Sequence, residues 1–406
     1  MSEFCEYKLS ELGKWLGGGT PSKSKKEYWF DGNIPWVSPK DMKRFRVDSS
    51  EDYITKLAIE NTSAKLIPKG SVLIVTRSGI LQRYVPIAIN EVQVTINQDL
   101  KAIIPNGKVR SDYLANTLKL QNNRVLHECA KVGTTVESLG TDLLKGFKIV
   151  APDIKEQGRI MAIIGTWGKA ISKTEKLIKA KKRYKKGLMQ RLLSGKVRFP
   201  EFEGEDWNEV KLGDITEVIS SNLDKKIKEG QEDVRLCNYM DVYDNAIIDS
   251  SLPFMESTAS EREIEKYTLK QDDVIITKDS ETADDIANAA VVKNLESRVL
   301  CGYHLAILRP NKEKVLGDFL AKQIMTFVYR KQFFQMANGA TRYGLRISDI
   351  EKAKFNIPSI EEQKKISTLI NSINNEINLL NKQKLAFKNQ KKGLMQQLLT
   401  GKVRVN

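Results

Sequence analysis

Histidine is nearly missing from this chain: 406 residues hold two, His127 and His304, each isolated in sequence. That scarcity argues against a hydrolase triad or a histidine-rich metal cluster. Cysteine is almost as sparse. Cys5, Cys129, Cys237 and Cys301 are far apart and form no Cys-x-x-Cys pair, so zinc-ribbon and redox motifs are excluded and reduced thiols in a cytoplasmic protein are expected. No apolar run approaches the ~18 residues that a membrane span needs. The opening Met1–Tyr7 lacks the basic start and apolar stretch of a secretion signal. No Gly-x-x-x-x-Gly-Lys-[Ser/Thr] loop is present, so phosphate-loop ATP hydrolysis is unsupported. The glycine-rich Gly17-Gly18-Gly19 follows no strand at phosphate-loop spacing and reads as a flexible turn. Neither an Asn/Asp-Pro-Pro-Tyr/Phe aminomethylase motif nor a glycine-rich cofactor strand occurs, which argues against a self-contained DNA methyltransferase. Asp272-Asp273 and Asp284-Asp285 are most simply solvated surface.

What the chain does have is a copy of itself. Pro152–Arg198 aligns without a gap onto Pro358–Arg404 at a constant offset of 206, with 22 identities in 47 positions. A period this long excludes a solenoid. One lobe-plus-helix unit is used twice. Net charge follows the same division. The total is +15, yet residues 155–198 carry +12 and residues 361–406 carry +6, so the rest of the chain is −3. The run Lys179–Lys186 has no internal acid to offset it, and a polyanion or acidic partner explains it better than a solvated face.

Both repeated segments read as long helices. Asp153/Glu156 and Ser359/Glu362 stand at capping-box spacing after a proline, and Gly195 and Gly401 supply the stops. Between them the seam steps by four and three. In one copy it runs through Ile160, Ile164, Trp167, Ile171, Thr174, Ile178, Lys181, Lys185, Leu188 and Leu192. In the other it runs through Ile366, Ile370, Ile373, Ile377, Leu380, Lys384, Phe387, Lys391, Leu394 and Leu398. This is an a/d heptad pattern, on rods of roughly 60 Å. Each seam is expected to pack against the other copy, antiparallel, about a local two-fold. Gly187 and Gly393 weaken their helices; close approach of another helix and tolerance near a helix end both account for them.

The lobes repeat more loosely. Val72–Arg77 is matched with Val274–Lys278, Leu100–Pro105 with Leu305–Pro310, and Gly133-Thr134-Thr135 with Gly339-Ala340-Thr341. Helices are expected around 110–130 and 315–335. The fold class is therefore α+β: two mixed α/β lobes joined by two long antiparallel coiled-coil helices. The expected domains are a first lobe at 1–151, a first helix at 152–198, a second lobe at 199–357 and a second helix at 358–406, with 199–206 as the linker.

These residues resemble the specificity subunit of a type I restriction-modification system. The resemblance rests on Gly18-Gly19-Thr20-Pro21-Ser22 followed by Tyr28-Trp29 and Ile34-Pro35-Trp36-Val37-Ser38, and on the paired Gly-x-Thr loops. It rests also on Pro-x-Ile-x-Glu-Gln at 152–157 and 358–363 and on the duplicated Lys-Gly-Leu-Met-Gln. It implies a non-catalytic subunit with two target-recognition lobes, each reading half of a split double-stranded DNA sequence. It implies two modification subunits, which would bind S-adenosylmethionine and methylate adenine, and restriction subunits that cut; this chain itself would bind no cofactor and no metal. One feature departs from a DNA reader: residues 199–360 are net −8. Phe319–Ser348, however, holds Lys322, Arg330, Lys331, Arg342 and Arg346 and no acid.

Base readout needs paired donors or acceptors. The first-lobe candidates are Lys23, Ser24, Lys25, Arg77, Ser78, Thr134 and Thr135; the second-lobe candidates are Lys278, Asn338, Thr341, Arg342, Tyr343 and Arg346. Any of these could equally contact phosphate or only solvent. Gly187, Leu188, Met189, Gln190, Gly393, Leu394, Met395 and Gln396 are candidates for the modification-subunit interface. A stand-alone two-lobed DNA-binding regulator, or a DNA-modifying enzyme, stay open as alternatives.

Overall fold

The computed structural model describes residues 3–131, 136–339 and 341–405. The chain divides into two compact units, Met1–Glu175 with Lys382–Asn406, and Lys176–Asn381. The division falls inside both long helices, α1 (Ile154–Leu192) and α2 (Ile360–Leu398). Each unit thus holds one lobe, half of α1 and half of α2.

The first lobe is built on a five-stranded sheet. Its strands are β1 (Gly13–Gly17), β2 (Arg46–Val47), β3 (Val72–Val75), β4 (Ile87–Asn90) and β5 (Leu100–Pro105), in spatial order β1-β5-β3-β4-β2. The second lobe repeats this order with β6 (Thr216–Ser220), β7 (Ile247–Ile248), β8 (Val274–Thr277), β9 (Ala289–Val292) and β10 (Leu305–Pro310), arranged β6-β10-β8-β9-β7. In both sheets only the last, two-residue strand runs parallel to its neighbour. The central strands read as continuous apolar runs rather than alternating ones because both faces are covered, and Val72–Val75 and Val274–Thr277 are buried at every position. Each lobe adds a three-stranded sheet, Asp52–Ile54, Ile34–Val37 and Thr95–Ile96 in the first, and Met255–Ala259, Glu232–Cys237 and Val299–Cys301 in the second. The helices expected around 110–130 and 315–335 are broken pairs, Ser111–Leu120 with Asn122–Cys129 and Gly317–Ile324 with Phe327–Met336.

In each unit the two half-helices run antiparallel. In the first, Glu156 meets Arg404 and Trp167 meets Phe387, with ring centroids 5.5 Å apart. In the second, Arg198 meets Glu362 and Lys181 meets Glu376 at 2.9 Å. Apolar seam positions enter the lobe cores: Ile160, Ile164 and Leu398 in one, Ile178, Leu188, Leu192, Ile366, Ile370 and Ile377 in the other. The lysines that interrupt the seams are half-buried, and loss of solvent lowers the ammonium pKa of both Lys185 and Lys391.

The Pro-x-Ile-x-Glu-Gln motif turns out to be a clamp. Gln157 accepts from Arg110 N (2.8 Å) and donates to the carbonyls of Lys108 (3.2 Å) and Pro152 (2.8 Å). Gln363 does the same with Leu316 N (2.8 Å), Lys314 (3.0 Å) and Pro358 (2.9 Å). Glu156 is bound by Arg404 at 2.6 and 2.8 Å. Glu362 is bound by Arg198 at 2.5 and 3.0 Å and by Trp207 Nε1 at 3.1 Å. The motif glutamates therefore reach the end of the other repeat, and a duplicated sequence yields reciprocal pairs.

Three sequence expectations need correction. Asp153 caps α1 by accepting from Glu156 N at 2.8 Å, but the buried Ser359 hydroxyl finds no partner, so the second capping box does not close. Asp272-Asp273 is no solvated surface: Asp273, 1% exposed, holds Arg309 at 3.0 and 3.1 Å, and Asp272 accepts from Gly317 N at 2.8 Å. Gly17-Gly18-Gly19 is packed tight rather than flexible. A Cβ on Gly18 would lie 2.0 Å from the Ile96 carbonyl oxygen, and one on Gly19 would lie 2.3 Å from Ser63 Oγ.

The helix stops hold as expected. Gly195 and Gly401 adopt φ of +71° and +74°, and each lies against an aromatic ring, Trp207 and Phe4 respectively. Cys237 and Cys301, distant in sequence, are register partners on neighbouring strands, both reduced and buried. Burial pushes both thiols up, so neither is a reactive thiolate. Among the described residues no helix is long and apolar enough to cross a membrane, and no cluster of metal-ligating side chains occurs.

Candidate nucleic-acid interface

In the first lobe the end of the sheet at which the central strand β3 finishes, hereafter its edge, gathers most of the candidate residues. Where β3 ends, Thr76 N and Arg77 N both donate to the Asp99 carbonyl, at 2.7 and 3.2 Å. The same segment binds the arm beyond Gly133-Thr134-Thr135: Leu139 N donates to Thr76 O (2.7 Å) and Ser78 N to Glu137 O (3.0 Å). Thr134 and Thr135 lie outside the described residues. Next along the edge is the Asn97–Asp99 turn, against which the glycine run packs; Gly19 N donates to Ile96 O (3.0 Å) and the Thr20 hydroxyl to Gln98 Oε1. Lys23, Ser24 and Lys25 are exposed on the loop that follows, with the lysine ammoniums seated over Trp29 (5.8 Å) and Tyr28 (5.1 Å). Arg77 is exposed. Exposed donors with aromatic support at the strand ends of a sheet suit contacts to phosphate or to base edges.

The second lobe builds the same edge with other residues. Lys278 N donates to His304 O (3.0 Å) and Leu345 N to Lys278 O (2.8 Å). Asp279–Ser280 pairs with Tyr343–Gly344, and Asn338 and Gly344 exchange backbone bonds at 3.0 and 2.9 Å. Within the stretch that they bracket, Thr341 and Arg342 are exposed and Tyr343 is half-buried. Arg346 is exposed just beyond it, and Asn338 spends its amide on Met336 O at 2.7 Å. Two of the five cations between 319 and 348 are internal. Lys322 pairs with Asp318 at 2.5 Å, and Arg330 donates to Ile286 O at 2.9 Å. Lys331, Arg342 and Arg346 remain on the surface.

The strand ladders match the two edges residue by residue. Val75 pairs with Leu100 and Thr277 with Leu305, so Lys278 answers Thr76, and Arg77 is answered by Asp279. By the same register Asp99 is answered by His304 and Gln98 by Tyr303. Lys278 is turned inward, its amine donating to Ser220 Oγ (2.6 Å) and Ser221 O (3.1 Å), 5.5 Å above the Tyr303 ring.

His304, solitary in sequence, is not solitary in space: its Nδ1 lies 2.6 Å from Asp279 Oδ2, and its ring packs edge-on against Tyr303 at 4.0 Å. Its φ is +70°, a conformation that costs a residue other than glycine about 1–2 kcal/mol. The only hint in the sequence is that Gly302-Tyr303-His304 precedes a strand as Asn97-Gln98-Asp99 does.

The helix-end candidates divide. Leu188 is in the second unit's core, and Leu394 and Met395 pack on the first unit's core. Met189 and Gln190, with Lys182, Lys185 and Lys186, line an open groove of about 1490 Å³ whose far side carries Met325, Phe327 and a row of α2 asparagines. Gln396 is exposed. A Cβ on Gly187 or Gly393 would meet nothing within 4 Å. Close approach of a helix within this chain is therefore not the reason for either glycine.

Two sheet lobes of one design, each offering a differently furnished edge and each clamped to the same antiparallel helix pair, define a duplicated recognition module. Residues 1–182 and 204–387 both match the type I restriction modification DNA specificity domain, and the chain belongs to that family. It is similar to the EcoR124I/EcoR124II specificity subunit of Escherichia coli, 48% identical over 156 residues, a stretch covering 38% of this chain and 39% of that one. It is also similar to the MjaIX specificity subunit of Methanocaldococcus jannaschii, 27% identical over 98% of this chain and 93% of that one. Among solved structures, the fold matches one described under complex assembly and conformational transition of the type I R-M system, with TM-score 0.63, 15% identity and 98% of both chains covered. It also matches the S subunit from M. genitalium, with TM-score 0.54, 12% identity and 98% and 96% covered. The chain is a DNA-specificity subunit of a type I restriction-modification system and is itself non-catalytic.

Proposed function

We propose that each lobe reads one half of a bipartite double-stranded DNA target through the edge just described, and that the helix pair sets the spacing and docks two modification subunits. Those subunits would carry S-adenosylmethionine and methylate adenine, with restriction subunits joining to cut. The observation that carries the reading is the duplicated edge: identical strand order, with Arg77 in one lobe where the other has Asp279. A common frame with exchanged polar groups is what two readers of different half-sites require, because base edges differ only in their donor and acceptor patterns.

The test is to map methylated adenines on DNA exposed to the complex assembled with its modification subunit. A split motif is expected; a continuous one overturns the two-reader arrangement. Arg342→Ala, at an exposed position between Asn338 and Gly344, is expected to relax one position of one half-site or to weaken all sites by about 10-fold. An unchanged motif with unchanged affinity removes that stretch from the interface.

The open faces at Gly187 and Gly393 are read as partner seats. Gly187→Ala is expected to stabilise the isolated chain by about 1 kcal/mol while reducing co-purification with the modification subunit. A gain in thermal stability with undiminished assembly would place the partner elsewhere.

A further inference from the structure

We infer that His304 is a specificity-determining residue of the second lobe, presented by Asp279 so that its Nε2 accepts a hydrogen bond from an exocyclic amino group on a base edge, adenine N6 or cytosine N4. The inference rests on the proposed DNA-reading role of this edge. It goes further in naming the reading atom and the class of group that it selects.

The geometry fixes the imidazole. A carboxylate can only accept, so the 2.6 Å contact between Asp279 Oδ2 and His304 Nδ1 puts the ring proton on Nδ1. In the neutral ring Nε2 is then a lone-pair acceptor. That atom takes no hydrogen bond among the described residues, and it is not among the buried atoms left without one. The side chain is about a quarter exposed, at 26%. A polar atom with a fixed tautomer, a fixed ring and open capacity is what base readout needs, whereas a merely structural histidine commonly spends both nitrogens.

The surroundings hold the ring in place. Tyr303, 44% exposed, stands edge-on to the imidazole at 4.0 Å, and the Lys278 amine lies over the tyrosine ring while anchored to Ser220 and Ser221. The neighbouring segment carries exposed Thr341 and Arg342. The comparison with the first lobe is equally pointed. There, Arg77 is exposed at the position where Asp279 is spent on holding His304. The second lobe has thus given up a charged donor at that register and gained an imidazole acceptor one strand away. An Arg selects acceptor-bearing guanine, whereas an acceptor selects an amino group.

His304→Gly is the informative variant, because glycine suits the positive φ of this residue and removes only the imidazole. Full-length wild type and variant are each assembled with the modification subunit, and methylated adenines are mapped across a randomised DNA library. Wild type is expected to require one defined base pair, A·T or C·G in a single orientation, at one position of one half-site. His304→Gly should relax that position by ~10-fold or more and leave the other half-site intact. Asp279→Asn, which lets the ring choose its tautomer, should relax the same position less. A variant motif identical to wild type, or a loss spread evenly over both half-sites, overturns the inference while leaving the two-reader function standing. Absence of any sequence-specific methylation by the wild-type complex overturns both.

Discussion

Arg198→Met is expected to lower the stability of the chain by about 3–5 kcal/mol, read as a fall in the denaturant midpoint. Glu362 is fully buried, and its carboxylate is held by Arg198 at 2.5 and 3.0 Å and by Trp207 Nε1 at 3.1 Å. Without the guanidinium a buried charge keeps one indole donor. The pair as a whole contributes much less than this figure, because desolvating two ions offsets most of their attraction. Arg198→Met combined with Glu362→Leu is therefore expected to recover much of the loss. If the single variant were as stable as wild type, the clamp between helix and lobe would not depend on this pair. In the first unit Arg404 binds the buried Glu156 in the same way, at 2.6 and 2.8 Å.

Gly18→Ala is expected to cripple the first lobe's edge while sparing the second lobe. The added Cβ would sit 2.0 Å from Ile96 O and 2.2 Å from Asn97 O, both backbone atoms that cannot swing aside. Overpacking of this kind costs about 1–3 kcal/mol and displaces backbone. The displaced turn is the one that carries Asp99, whose carbonyl receives Thr76 N and Arg77 N. Methylation by the assembled complex should fall sharply, since a split target needs both halves. Limited proteolysis should cut the first lobe before the second. Full activity would mean that the Asn97–Asp99 turn is not part of the reading edge.

Much of this protein is legible without coordinates. The offset-206 repeat, the heptad seams and the charge split can each be read along the chain without knowing which residues meet in space. The Glu156 and Glu362 positions are visible too, but only part of their role is. Capping-box spacing says where a glutamate sits, not whether an arginine 164 residues away in sequence will claim it, as Arg198 does for Glu362. Glycines are ambiguous for a related reason. Gly18 is small because carbonyl oxygens crowd it, while Gly187 faces open space, and the letter G does not tell the two apart.

By itself, then, the sequence determined that a lobe-and-helix unit is used twice, that the helices are long and seamed, and that the chemistry of hydrolysis and phosphate loops is lacking. These are properties of composition and short-range pattern. Only the tertiary structure decided which residues share a place at the two edges. A one-residue shift in matching β3 to β8 moves Arg77 from the register of Lys278 to that of Asp279. Ladder register is set by backbone hydrogen bonds between strands 25 or more residues apart, and a side chain's duty follows from that register. Asp279 and His304, 25 residues apart in sequence and 2.6 Å apart in space, become a pair on that account alone.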